Sequence, residues 1–522
     1  MAISVGANWL DRAVGFFSPT QALKRVRARM ALEIAARHFE AASAGRRTQG
    51  WRRTSSDPNA AMAGALGTLR DVARDLERNN GWAKSALRGL GNRVVGWGIM
   101  PDTEGMPRTV RERWEAWANT TACDADGRHT LAGLQKLATR TVARDGEVLV
   151  RRRWRTMADV QAGLPIPMQL QLLEPDHLDP LKDGLTTAMG GRIISGVEFD
   201  PIGRRAAYWL LPEHPGSSFV GFTGIGRGLS VRIPAEEVLH VFPSDRVGQV
   251  RGPSHFAPVI LTLKDFDEYE DAALMKQKIA ACLAVITSDV DGSAPALGTT
   301  TTDQPAVDSL EPGMILNVAP GRAINVVEPP AVSEHGPYTQ TTLRKIAAGL
   351  PGTSYEDLTG DYSQVNFSSA RMGRLRAWDD IEDWRWIVLV PQFCDPVWSW
   401  FMQALAILEA VPARARVEWT APAAAMIDPE KEGLAYQRNV RIGALTWPEM
   451  VRERGYNPTR QLREIADWNK KFDDAQVVLD SDPRKTSQQG QPTPPAPAAS
   501  AATMPAEETV SASSNGNGSR GH

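Results

Sequence analysis

Two short acidic clusters are the places where this sequence could hold a cation or activate water. Glu174-Pro-Asp-His-Leu-Asp179 sets three carboxylates around one imidazole, the residue types of a general base or a divalent-metal site. Asp124-Ala-Asp-Gly127 has the opening spacing of a calcium loop, but the bidentate Glu due at the twelfth position is missing. Both stretches also have the composition of tight turns, because Asp, Gly and Pro set turns without any ligand. Gly221-Phe-Thr-Gly-Ile-Gly-Arg-Gly228 does not join a strand to a helix in a βαβ unit, so it reads as a surface loop rather than a phosphate cradle. No P-loop, nucleophile elbow or HExxH motif occurs, and the cysteines Cys123, Cys282 and Cys394 are too scattered for a zinc site or a disulfide framework. The expectation is a chain with no catalytic residues, no cofactor and no metal.

The remaining chemistry is charge and polarity, concentrated between Phe256 and Arg371. A helix without internal Gly or Pro is expected from Pro258 to Ile286, with Asp265, Asp267, Glu268, Glu270 and Asp271 early and Lys276 and Lys278 late. These charges complement the helix dipole only partly. In copies standing side by side, the acidic part of one helix would face the basic part of the next, a head-to-tail contact that closes into a ring when the rotation permits. A solvated charged helix is the alternative. About fifty turn-rich residues follow, then a returning helix at Tyr338–Leu350. After it comes a stretch from Pro351 to Arg371 that is too polar for core and too aromatic for a linker. It carries Tyr362, Ser363, Gln364, Asn366, Phe367, Ser368, Ser369 and Arg371, followed by Arg374 and Arg376.

The elements around this stretch form an α+β pattern. Leu66, Leu69, Val72, Ala73 and Leu76 recur at helical spacing, Asn79-Asn80-Gly81 breaks the run, and further helices are expected at Trp82–Val94, Val110–Ala118 and Leu131–Arg144. Asp145-Gly146 reads as a hairpin turn leading into strands at Glu147–Trp154, Met168–Leu173, Ile193–Phe199, Ala206–Leu211 and Val238–Phe242, an antiparallel sheet. From Met372 to about Leu408 a helix is expected to kink or break at Pro391, with a short strand at Val417–Trp419 after it. Asp428 caps the first of three compact helices, the others beginning near Trp447 and at Pro458. Residues 1–53 hold ten cations against three acids, a basic arm, and the Gln/Pro/Ala/Ser/Gly-rich end from 476 onward lacks the bulky apolar residues that offset ordering entropy.

At 522 residues and 42% hydrophobic content the chain supports two or more domains with ordinary cores. A net charge of −2 argues against a protein that coats nucleic acid, and no apolar run reaches membrane-spanning length, so a soluble protein made in a cytoplasm is expected. Sixteen tryptophans are many, and Trp114, Trp117, Trp378, Trp384 and Trp386 sit in charged helical stretches, where they suit either subunit interfaces or core.

From about Ala42 to Phe472 the sequence resembles the lambda-type family of tailed-bacteriophage portal proteins. The segments that carry the resemblance are Gly45–Trp51, Arg74–Asn80, Asp145–Val150, Gln169–His177, Tyr269–Ala272 with Gln277–Ala281, Leu310–Gly313 and Leu358–Arg371. The resemblance implies a non-enzymatic portal fold: wing at 54–255, first stem helix at 256–286, β-containing clip at 287–333 and second stem helix at 334–350. A tunnel loop at 351–371 and the wing return with a helical crown at 372–475 complete it. It also implies a homo-oligomeric ring, usually of twelve subunits, at one capsid vertex of the virion, assembled in the host bacterial cytoplasm. Its implied partners are double-stranded DNA in the channel, the terminase large subunit, major capsid or scaffold protein, and head–tail adaptor proteins. A loop rich in Tyr, Ser, Gln and Asn but poor in cations suits sliding DNA, since each ion-paired Lys or Arg adds salt-dependent holding energy. Intersubunit pairing with Asp379, Asp380 or Glu382 is the alternative role for Arg371, Arg374 and Arg376. The competing readings are a metal-dependent DNA-processing enzyme acting through Asp176 or Asp124, and a capsid adaptor without a channel.

Overall fold

The computed structural model describes residues 55–103, 105–187, 190–217, 229–282, 335–363, 367–411, 416–424, 426, 428–479, 482 and 484–486. The expected basic arm at 1–53, the loop 221–228, the expected clip at 287–333 and the tail from 487 onward lie outside the described residues. The chain divides into two compact units. In the smaller, residues 1–64 with 245–249, Asp57 caps the short helix Pro58–Met62 by accepting from the amides of Asn59 and Ala60 at 2.7 and 2.9 Å. The remaining elements belong to the larger unit, residues 65–244 with 250–522.

Helices α1 (Leu66–Asn79) and α2 (Gly81–Val94) meet at Asn80, whose extended backbone ends one and whose side chain caps the other by accepting from the Ala83 amide at 2.8 Å. The inward face of α1 is Arg70, Ala73 and Leu76, with Val72 turned outward, so the buried stripe is rotated toward charged residues relative to the apolar spacing. Helix α3 (Arg108–Ala118) sets Trp114 and Trp117 against Trp398 and Phe401, with ring centroids 4.9–5.7 Å apart. Trp114, Trp117, Trp384, Trp398 and Trp400 are all buried, which assigns the charged-helix tryptophans at 114, 117 and 384 to the core and leaves Trp386 43% exposed.

Helix α4 (Leu131–Asp145) corrects the expected hairpin turn at Asp145-Gly146. Gly146 is the left-handed C-cap of α4, its amide bonding back to the Val142 carbonyl. A Cβ there would also lie 2.3 Å from the Gly252 carbonyl oxygen, so the chain needs glycine twice over. Strand β2 (Val148–Trp154) then runs as the centre of a three-stranded antiparallel sheet between β3 (Met168–Leu173) and β9 (Val238–Val241). A second antiparallel sheet orders β4 (Leu185–Thr186), β5 (Arg192–Ile194), β6 (Val197–Phe199), β7 (Arg205–Leu210) and β8 (Val231–Pro234). The single strand expected at Ile193–Phe199 is therefore a hairpin, turned at Ser195 and Gly196 with φ of 46° and 84°, the two left-handed residues of a tight strand reversal.

Helix α5 (Ile260–Cys282) starts four residues later than Phe256, and the helix that packs on it, α6 (His335–Ala348), starts three residues earlier than Tyr338. Close approach is built in at their ends, where a Cβ on Gly349 would lie 2.4 Å from Val259 Cγ1. The supposed loop then contains a one-turn helix, α7 (Tyr355–Thr359), and ends at α8 (Phe367–Asp383), so Phe367–Arg371 are helical rather than loop. No break follows at Pro391. The chain continues as π-helical turns over Trp384–Cys394 and into α9 (Asp395–Leu405), the wider turn absorbing the missing proline donor.

β1 (Met100–Pro101) pairs antiparallel with β10 (Trp419–Thr420), tying the end of α2 to the chain beyond α9. Three helices follow as expected: α10 (Pro429–Arg441) capped by Asp428, α11 (Trp447–Glu453) capped by Thr446, and α12 (Pro458–Asp474) capped by Asn457. The described part of the expected tail folds back, Arg484 and Lys485 both pairing with Asp473. Among the described residues, no helix is long and apolar enough to cross a membrane.

Candidate channel segment and its anchors

The cluster that most resembled a metal site is filled by protein cations. Glu174, Asp176 and His214 bring one ligand atom each within 4.8 Å of one another. Arg74 lies on the same carboxylates, 2.6 Å from Asp176 and 3.0 Å from Glu174, and its other contact is Asp145 at 3.0 Å. Arg144 bonds Glu174 at 2.9 Å, Asp145 at 2.8 Å and Glu77 at 2.8 Å, and Arg70 approaches Asp176 to 3.8 Å. Burial alone would raise the Asp176 carboxyl, but Arg70 and Arg74 hold it below its ordinary range. A divalent cation would have to displace these guanidinium groups, so the network is an ion-paired seam joining α1, α4 and the turn after β3. Zinc or manganese is accordingly expected not to raise the melting temperature, whereas Asp176→Asn should lower stability by about 1–3 kcal/mol, read by urea denaturation. His177, the other half of that motif, bonds the Leu211 carbonyl through Nδ1 at 2.9 Å. Asp124 is a turn residue, its oxygens accepting from the amides of Asp126, Arg128 and His129 at 2.9–3.1 Å.

On α5 the expected intersubunit charges divide into two groups. Leu263, Phe266 and Ala273 form the buried stripe, and Asp265, Glu268, Asp271 and Lys278 stand exposed. Among the described residues Glu268 pairs with Lys264 one turn earlier, at 3.6 Å. Asp267 is engaged within the chain, both oxygens accepting from Asn80 Nδ2 at 2.8 Å, and so fastens α5 to the α1–α2 junction. Glu270 is half-buried against Trp82, with burial and Asp267 pushing its carboxyl up, and Lys276 is half-buried as well. Tyr269 spans to α6, stacking on His335 and lying 4.4 Å from the Tyr338 ring.

The segment after α6 is firmly based and open at its tip. Leu350 and Leu358 are buried, Ser354 and Asp357 form a reciprocal capping box, and Gly360 closes α7 with a φ of 71°. Arg93, from the end of α2, donates to the Gly352 carbonyl at 2.7 Å and lies 3.4 Å from Asp357. From the other side Asp380 of α8 accepts from the Gly352 amide at 3.0 Å. At the tip Asp361 accepts from Tyr355 Oη and from the amide and hydroxyl of Ser363, which keeps its carboxyl below the ordinary range. Tyr362, between them, is 61% exposed. Gln364 and Asn366 lie outside the described residues, as do the side chains of Phe367, Ser368, Ser369 and Arg371.

Of the acids proposed to pair with Arg371, Arg374 and Arg376, Asp380 is thus an anchor of the loop base. Glu382 holds Arg385 at 2.9 Å and the indole of Trp386, and Asp379 stands exposed. The positioning residues that sequence reasoning missed are Arg93, Asn80 and Gly352. Only Asn80 carried a local signal, the Asn-Asn-Gly break, while its partner Asp267 is 187 positions away.

Comparison with known proteins addresses the same elements. A profile of the family described as phage portal protein, lambda family, matches residues 44–385. The probable portal protein of Halomonas phage phiHAP-1 is 27% identical over 436 residues, 78% of this chain and 80% of its own. Portal protein B of Escherichia phage lambda is 23% identical over 423 residues, 74% of this chain and 78% of its own. Among solved structures, a chain from the neck of an empty gene transfer agent particle computed with C6 symmetry aligns at a TM-score of 0.41 and 14% identity, over 79% of this chain and 97% of that one. The profile spans the α1–α4 helices, both sheets, the paired helices α5 and α6 and the segment that follows them, and the chain belongs to the lambda family of phage portal proteins.

Proposed function

We propose that copies of this chain assemble into a ring at one capsid vertex, that double-stranded DNA passes through its centre, and that the ring joins head to tail. The observation that carries the reading beyond family membership is the pairing of an outward charged helix with a braced polar loop. Exposed Asp265, Glu268 and Asp271 precede exposed Lys278 along α5, a polarity that copies arranged head to tail can satisfy, while Asp267 serves its own chain. The segment from Pro351 to Ser363 has a buried base and presents Tyr362 and Ser363 at its tip, a polar and aromatic surface that touches DNA without gripping phosphate. In this reading the role is structural, the terminase large subunit docks on the 287–333 side during packaging, and head–tail adaptors later take its place. Major capsid or scaffold protein surrounds the ring. The competing enzyme reading needs Asp176 or Asp124 free for a metal, and both are occupied by protein donors.

The expected result is that purified chain forms closed rings with a central hole in electron-microscopic class averages. A strictly monomeric protein at high concentration contradicts the assignment. Charge reversal at Glu268 and Asp271 together should weaken ring formation in a salt-dependent way, and the same change at Asp267 should instead lower the melting temperature.

A further inference from the structure

The space between the two sheets ends in cations. Leu149 and Val238 of the three-stranded sheet share one buried cluster with Leu210 and Ile233 of the five-stranded sheet. Side chains alternate along a strand, so Arg151 and Arg153 follow Leu149 on the same face of β2, their backbones about 7 Å apart. There the apolar contact gives way to a cleft of about 170 Å³. Both arginines line it, with Gln171, which stands opposite Arg151 on β3, with His177, and with Leu173 and Leu210 among its apolar walls. Among the described residues no acid lines the cleft. Half-buried arginines are ordinarily paired, and the residue between these two is: Arg152, on the opposite face, bonds Glu237 at 2.7 Å and Gln403 at 2.6 Å. Arg151 and Arg153 make no ion pair or side-chain hydrogen bond among the described residues, and Glu237, whose charge reaches Arg151, is the acid that Arg152 holds. Burial, and after it the charge of Arg153, lowers the Arg151 pKa. A guanidinium stays charged all the same, so the pair repels itself unless a counter-charge joins it.

We infer that the cleft between the two sheets binds a phosphate group, held by Arg151 and Arg153 with the Gln171 amide donating from the facing strand. Two guanidinium charges without an acid match a phosphate, which carries close to two negative charges at neutral pH and offers several acceptor oxygens. A carboxylate brings one charge and leaves the second guanidinium without its share. The apolar walls strengthen the attraction, because they keep bulk water from screening it. The cleft is smaller than the roughly 300 Å³ at which pockets for whole organic ligands begin, so it takes a phosphate head and not a nucleotide. His177 is a wall of fixed orientation, its Nδ1 donating to the Leu211 carbonyl at 2.9 Å. All of these residues belong to one chain, so the binding does not depend on ring assembly.

The test titrates full-length chain with inorganic phosphate by calorimetry, in a phosphate-free buffer of low ionic strength. Saturable binding of one phosphate per chain is expected. Arg151→Gln and Arg153→Gln should each weaken it by about tenfold, and the double variant should abolish it. Arg204→Gln, which removes an exposed arginine from the turn before β7, should leave it unchanged. Absence of saturable binding overturns the site, as does equal binding by the double variant, and acetate binding as tightly as phosphate overturns the choice of phosphate. Glycerol 2-phosphate tells the two sources of the group apart: binding of both probes marks the head of a phosphate ester, and binding of inorganic phosphate alone marks the free ion. Melting temperature supplies a readout that does not depend on the titration. In phosphate-free buffer the double variant is expected to melt no lower than the parent, since a repulsive pair has been removed, and added phosphate should raise the melting temperature of the parent alone. A double variant that melts lower without phosphate shows that the two guanidinium groups serve the fold, and overturns the site.

Discussion

Replacing Glu147 by alanine is expected to lower folding stability by about 3–5 kcal/mol, because it strands a buried guanidinium without its counter-charge. Glu147 is fully buried at the start of β2 and gathers three donors: Arg251 at 2.6 Å, His240 Nε2 at 2.8 Å and the Gly252 amide at 3.0 Å. It thereby ties β2, β9 and the segment that leads into α5 to one carboxylate. Burial alone would raise its pKa, but Arg251 and His240 drive it well below the carboxylate range. Urea midpoints at fixed protein concentration measure the loss, and Glu147→Gln, which keeps an acceptor, should recover part of it.

The same hub makes the stability pH-dependent with a defined sign. Arg205 donates to His240 Nδ1 at 2.9 Å, so that nitrogen must present a lone pair, and the imidazole is neutral with its proton on Nε2 toward Glu147. Burial, with Arg205 and Arg251 nearby, pushes His240 from 6.5 down to about 4 against the pull of Glu147. Below pH 6.5 the unfolded chain takes up a proton here that the folded chain refuses until about pH 4. Stability is therefore full above 6.5 and falls as the pH drops through that window, by roughly 1–3 kcal/mol. In His240→Gln, whose amide can accept from Arg205 and donate to Glu147, denaturation midpoints should lose this dependence.

Such a hub could not be read from the sequence. Its members are separated by up to 105 positions, and a lone Glu in Glu147-Val-Leu-Val looks like the polar start of a strand. What was legible was local: α2, α4 and α12 follow from periodicity, the Asn-Asn-Gly break and Pro458, and the α+β class follows from these helices with the short strands, among them the alternating β3. Misreadings arose where one dipeptide serves two structures. Asp145-Gly146 has hairpin composition, but the preceding helix uses its glycine as a stop. Ser195-Gly196 hid a turn inside an apolar run because only its backbone dihedrals reveal it. In the candidate site the same limit holds. The polar character of 351–363 was visible, but the buried Leu358 and the brace from Arg93 depend on contacts across hundreds of residues.

That brace bears on the role proposed for the loop. Deleting Gly360–Ser369 is expected to leave rings intact while most packaged DNA is lost, measured as ring yield by microscopy and DNA content of assembled particles. The deletion removes the Gly360 stop of α7 and the first residues of α8, but Leu358, the Ser354–Asp357 box and the Arg93 contacts remain, so the core should keep its packing. Unchanged packaging would contradict the channel role proposed for this loop. Gly352→Val supplies the complementary case. Gly352 has φ of 59°, and a Cβ there would lie 2.5 Å from Ile381 Cδ1, so the substitution strains the backbone and forces α8 away. It should cost about 1–3 kcal/mol and disturb packaging with the tip sequence unaltered. If the loop acts only as a tether, the tip deletion and the base substitution will differ in stability alone. If it meets the DNA, both will lose packaged genome, the first because the contacting residues are gone and the second because Tyr362 and Ser363 are no longer held where Asp361, Arg93 and Asp380 set them.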